Sequence, residues 1–120
     1  MESILIVDDD TSIRMVLREE LEEVGYTAMA VDSADAALNF IDNDNPIDLI
    51  LLDLKMPNKD GFYFLEELNR RKKSIKVIVL TGYADIASAI KSAKLGAADF
   101  ITKPYDLDEL IVSIRKVLHM

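Results

Sequence analysis

The chain has 120 residues, 50% hydrophobic and 30% charged, with a net charge of −8 and no cysteine. That size suits one domain, read as spanning residues 1–120, with one packed core. The missing thiols exclude disulfides and thiolate chemistry, the acidic balance argues against a surface that grips nucleic-acid phosphates, and apolar runs of strand length argue against a membrane span.

The first strand candidate is SILIV (3–7), which runs directly into Asp8, Asp9 and Asp10. Ile13, Val16, Leu17, Leu21 and Val24 then recur at spacings of three and four, which predicts a helix with these five on one face, capped by Asp10 or Thr11 and stopped at Gly25. TAMAV (27–31) and DLILL (48–52) are the next strands, the latter ending in Asp53. A helix starting after Asp60-Gly61 puts Phe64, Leu65 and Leu68 inward, and the basic run Arg70–Lys73 reads as solvated charge at its carboxyl end. IKVIVL (75–80) precedes Thr81-Gly82. A further helix, roughly 84–95, is read with Ile86, Ala87, Ile90 and Ala93 inward and ends at Gly96. DFIT (99–102) leads into Lys103-Pro104. The last helix carries Leu107, Leu110, Ile111, Ile114, Val117 and Leu118 on one face, with Asp106, Asp108 and Glu109 in its first turn.

Five strands alternating with five helices predict an α/β, doubly wound parallel sheet covered on both faces. The first, third and fourth strands are almost wholly apolar and suit the centre; the milder second and fifth suit the edges. Order 2-1-3-4-5 satisfies this, and its switch point falls between the first and third strands, where ligands of open α/β sheets bind beyond the carboxyl ends. Asp8, Asp9 and Asp10 then face Asp53 across that crevice, with Thr81 and Lys103 on the same edge. Crowded carboxylates need counter-charge. Lys103 supplies one positive charge and a hard divalent cation the rest, the arrangement of a phosphoryl-transfer site with a carboxylate nucleophile.

The segments ILIVDDD, LLDLKMPNKDG, VLTGYAD and GAADFITKPYD resemble the receiver domain of two-component response regulators, over essentially the whole chain. The resemblance implies a flavodoxin-like fold and a phosphoacceptor switch that catalyses its own phosphorylation and slow dephosphorylation. Asp53 would take the phosphoryl group from a histidine kinase or phosphotransfer domain. Asp9 would bind Mg²⁺, or Mn²⁺ in its place, directly and Asp8 through water, with Asp53 and the backbone carbonyl of Lys55 completing the set. Thr81 and Lys103 would contact the phosphoryl group, Phe100 would turn inward on activation, and Lys55 and Tyr83 would tune hydrolysis. The Lys103–Pro104 bond would be cis. The face of the fourth helix, fifth strand and fifth helix would be the output surface. The later motifs look most similar to receivers that head transcription activators acting on the alternative sigma factor. That subclass implies dimerisation through the same face, with DNA bound only by an output domain beyond this chain. A cytoplasmic location goes with this reading.

Two rival readings exist. ILIVDDDTS also fits the opening of haloacid-dehalogenase-like phosphatases, with Asp8 as nucleophile, Asp10 as acid/base, and Thr81 and Lys103 assisting; it leaves Asp53 unexplained. A receiver that binds partners without phosphorylation is the other. A nucleotide-binding domain is disfavoured, because four scattered glycines make no phosphate-cradling loop.

Overall fold

Successive side chains of a strand point to opposite faces, so a strand with no polar alternate residue must be covered on both sides. The strands β1 (Ser3–Val7), β2 (Thr27–Val31), β3 (Leu49–Leu52), β4 (Lys76–Thr81) and β5 (Asp99–Thr102) form one sheet in the order β2-β1-β3-β4-β5, every neighbouring pair parallel. They alternate with α1 (Thr11–Val24), α2 (Ala34–Asp42), α3 (Gly61–Arg70), α4 (Ile86–Lys94) and α5 (Leu107–Leu118). A computed structural model describes residues 2–83 and 85–120 of the chain. The expected fold class, strand order and edge strands all match, with strand limits displaced by a residue at most.

The sheet divides the core in two. Ile4, Ile6, Leu49, Leu51, Ile78 and Leu80 point to the side where Leu17 and Leu21 of α1 meet Leu110, Ile114 and Val117 of α5. Leu5, Val7, Ile50, Leu52 and Val77 point to the other, against Leu38 and Ile41 of α2 and Phe64, Leu65 and Leu68 of α3. Burying each such side chain contributes about 1.5–3 kcal/mol, so these layers fix the sheet edge that carries the polar residues.

Two helix faces differ from the sequence reading. In α1, Leu17 and Leu21 are buried and Ile13 is half-buried, but Val16 and Val24 are exposed, because the contact with the sheet is narrower than the apolar stripe. In α4 the assignment is inverted. Ile86 is 79% and Ile90 51% exposed, Ala87 and Ala93 are also exposed, and the buried residues are Ser88 and Ser92. Small side chains let this helix lie close to the sheet, and the Ser92 hydroxyl donates to the carbonyl of Ala89, so burial leaves it partnered. The helix is also shorter than the expected 84–95; residue 84 lies outside the described residues, and Asp85 is the N-cap.

The caps follow the sequence closely. Asp10 caps α1, Asp60 caps α3, and the backbone after α1 turns at Gly25 with φ of 109°, a left-handed conformation that favours glycine. Asp106 caps α5 and does not sit in its first turn. Arg70 and Arg71 are not simply solvated: both pair with Glu67, whose carboxyl is held down at about 2, and Arg71 also reaches Asp42 at the end of α2.

Candidate functional site

Backbone hydrogen bonds place the polar edge. The N–H of Asp8 donates to Val31 O at 3.2 Å, that of Asp53 to Val7 O at 2.9 Å, and that of Lys103 to Thr81 O at 2.9 Å. Each of these side chains is therefore held by the last carbonyl of a neighbouring strand, one residue past its own strand. Packing of the apolar strands thus fixes the carboxylates without any contact between the carboxylates themselves.

Together they line a cleft of about 430 Å³ with Asp9, Asp10, Lys55, Thr81, Gly82 and Tyr83. Oxygens of Asp8, Asp9 and Asp53 lie within 4.8 Å of one another. Thr81, fully buried at the end of β4, donates its hydroxyl to Asp53 Oδ1 at 2.7 Å. Lys103 Nζ sits 2.5 Å from Asp8 Oδ2 and 3.4 Å from Asp53 Oδ2. The N–H groups of Asp10 and Lys55 donate to Asp8 Oδ1 and Asp53 Oδ1, at 2.9 and 3.3 Å. Burial pushes the Asp8 carboxyl above the ordinary carboxylate range, against the opposing pull of Lys103. The donor cluster contains only carboxylate oxygens, with no imidazole or thiolate, which is the chemistry of a hard divalent cation.

Asp10 lines the cleft but is engaged as the cap of α1, its Oδ1 accepting from Ile13 N at 3.1 Å. Lys55 and Tyr83 flank the cleft mouth, the Lys55 ammonium 5.3 Å from the centre of the Tyr83 ring, a distance at which cation–π attraction operates. Phe100 lies on β5 beside Val79, half-exposed and outside the cleft lining. The Lys103–Pro104 peptide bond is cis.

Two supporting residues escaped the sequence reading. Arg14 donates to the carbonyl of Asp8 at 2.8 Å and so fixes the loop between β1 and α1. Gly61 reads in sequence as turn punctuation, yet a Cβ there would lie 2.6 Å from Asp53 O and 2.8 Å from Leu54 Cα. The LDLKMPNKDG segment holds both ends of that contact, so its spacing was visible but its closeness was not.

Residues 4–115 match the family model described as the response regulator receiver domain. The chain belongs to the receiver domains of two-component response regulators. It is 36% identical over 117 residues to sporulation initiation phosphotransferase F of Bacillus subtilis, covering 98% of this chain and 94% of that protein. It is 38% identical to the probable transcriptional regulator ycf27 of Guillardia theta, again over 98% of this chain but only 45% of the relative. The receiver thus spans about half the length of the ycf27 regulators it matches. Relatives also include regulators of the NtrC and AtoC kind. Among solved structures, a CheY-like receiver from Methanospirillum hungatei superposes with a TM-score of 0.93 at 34% identity, covering 99% of this chain and 94% of that one. Receiver domains generally bind Mg²⁺ and work with histidine kinases or phosphotransfer partners, and the acidic cluster is a place where this receiver could hold a metal. Among the described residues, no helix is long and apolar enough to cross a membrane.

Proposed function

We propose that this receiver accepts a phosphoryl group on Asp53 from the phosphohistidine of a sensor kinase or phosphotransfer domain. The observation that carries the reading is one arrangement: Asp53 sits between the Thr81 hydroxyl and the Lys103 ammonium, with oxygens of Asp8 and Asp9 within 4.8 Å. A carboxylate oxygen of Asp53 attacks phosphorus, the P–N bond breaks, and its electron pair leaves with the imidazole nitrogen. Lys103 and Thr81 offer donors to the phosphoryl oxygens as charge gathers there. Asp8, Asp9, Asp53 and the Lys55 carbonyl are the groups placed to hold Mg²⁺, or Mn²⁺, which when bound offsets phosphoryl and carboxylate charge. Lys55 and Tyr83 stand where they can limit water at the acyl phosphate and so tune its hydrolysis.

The signal follows from charge. Phosphorylation adds roughly one negative charge beside Lys103, worth on the order of 4 kcal/mol at 4 Å and an effective dielectric near 20. That is enough to invert a two-state equilibrium whose active form is a minor species. In this reading Lys103 leaves Asp8 for the phosphoryl group, Thr81 follows, and Phe100 turns into the space vacated. The output surface is the α4-β5-α5 face, which already displays Ile86, Ile90 and Val112. An activated receiver would dimerise or dock its effector there, in the cytoplasm, with DNA reached only through an output domain.

The phosphatase reading is weaker. Asp10 is engaged as a helix cap, and that reading gives Asp53, which Thr81 and Lys103 both contact, no role. The test is Mg²⁺-dependent phosphorylation by a small acyl phosphate, followed by intact mass. Wild type should gain one phosphoryl group and Asp53→Asn none. A phosphoryl group mapped to Asp8, or uptake by Asp53→Asn, refutes the assignment.

A further inference from the structure

Lys103 belongs to a short loop whose other contacts run away from the cleft. The loop leaves β5 at Lys103, whose N–H is held by Thr81, and enters α5 at its cap, Asp106. Midway, the ring of Tyr105 packs against the core layer shared by α1 and α5. Its hydroxyl donates to Glu20 Oε1 at 2.5 Å, joining residues 85 apart in sequence. Glu20 lies on α1, and α1 is fastened to the metal-side loop twice, by the Asp10 cap and by Arg14 on the carbonyl of Asp8. Asp8 in turn receives Lys103. The contacts close a ring: Lys103, Tyr105, Glu20, Arg14, Asp8 and back to Lys103.

We propose that the Tyr105–Glu20 hydrogen bond is a positioning contact that holds Lys103 against Asp8, and so sets both the affinity for magnesium and the rate at which Asp53 is phosphorylated. The proposal rests on the acceptor role of Asp53 given above. The ring of contacts ties the backbone that carries Lys103 to the loop that carries Asp8. While Lys103 sits on Asp8 it competes with a cation for the same carboxylate, and it stands ready 3.4 Å from Asp53. Burial, reinforced by Glu20, raises the Tyr105 pKa far above neutrality, so the phenol keeps the proton it donates. Freeing the loop therefore has effects of opposite sign: the cation meets a weaker competitor, while the phosphoryl group meets a less well-placed lysine.

Three variants separate these effects. Tyr105→Phe keeps the ring and its core contact, Glu20→Ala removes the acceptor, and Glu20→Gln retains an acceptor oxygen. Magnesium affinity is measured by calorimetry with the metal alone, and phosphorylation by a small acyl phosphate through intact mass. Tyr105→Phe and Glu20→Ala should each bind Mg²⁺ roughly 2–5-fold tighter yet phosphorylate roughly 3–10-fold more slowly, as loosened positioning does. Glu20→Gln should stay near wild type in both, and the double variant should be no worse than either single one. Losses of affinity and rate that simply track a fall in thermal stability overturn the proposal, because a purely structural tie behaves that way. A wild type that takes no phosphoryl group overturns the acceptor reading instead; the magnesium arm then decides the tie, and unchanged affinity in the variants rejects it.

Discussion

Gly61→Ala is the substitution at which a local rule and the tertiary structure give opposite signs. Gly61 opens α3 without positive φ, and at such a site alanine ordinarily stabilises by about 0.4–1 kcal/mol by restricting the unfolded chain. Here the added methyl would sit 2.6 Å from the carbonyl oxygen of Asp53 and 2.8 Å from Leu54 Cα. Ordinary contact begins at 3.4 Å, so the loop must give by about 0.6–0.8 Å against backbone atoms, not against a flexible side chain. Overpacking of this kind costs about 1–3 kcal/mol, which outweighs the entropic gain. The net expectation is a loss of roughly 1–2 kcal/mol, or about 4–10 °C in melting temperature for a domain of this size. The same displacement disturbs the contacts of Asp53 with Thr81 and Lys103, now at 2.7 and 3.4 Å. Shifts approaching 1 Å in a reacting group lower rates by about tenfold to a hundredfold. Urea unfolding with and without EDTA gives the stability, and acyl-phosphate labelling followed by mass gives the rate. A variant as stable as wild type or more so, with an unchanged rate, would refute the argument that this close approach holds Asp53 in place.

Three further outcomes are expected. In EDTA, the raised Asp8 carboxyl binds its proton more tightly folded than unfolded, so its contribution to stability is present below the ordinary value of 3.8 and is lost as pH rises through its folded pKa. Asp8→Asn should therefore gain stability relative to wild type as pH rises above the ordinary value of 3.8 in urea titrations, and a pH-independent difference would contradict the assignment. Magnesium should raise the melting temperature by mass action, about 2.7 kcal/mol of stabilisation at a hundredfold excess over Kd, and Asp9→Asn should abolish most of that rise. Ile86→Ser and Ile90→Ser should change stability by less than about 0.5 kcal/mol, because these side chains are already exposed, yet weaken self-association of the phosphorylated receiver in sedimentation. Large destabilisation instead would mean that α4 is buried by them after all.

The strands, their order and the polar edge could all be read from the chain, because short two-sided apolar runs leave few other structures to adopt. ILIV, LILL and KVIVL had to be covered on both faces, and Asp8, Asp53, Thr81 and Lys103 end those strands or the edge strand beside them. Parallel pairing then aligns strand ends whatever the helices do, which is why the candidate site survived errors in the helix faces. Sequence periodicity shows which face of a helix is apolar, but not whether anything covers it. Ile86 and Ile90 formed the apolar face of α4, yet the sheet accepted Ser88 and Ser92, whose small side chains permit closer approach. Tertiary structure alone decided the contacts between distant residues, Lys103 on Asp8 and Tyr105 on Glu20, and also how closely Gly61 lets α3 abut Asp53. Residues 85 or 95 positions apart share no local signal, since their meeting is set by how whole layers pack and not by the residues around either one.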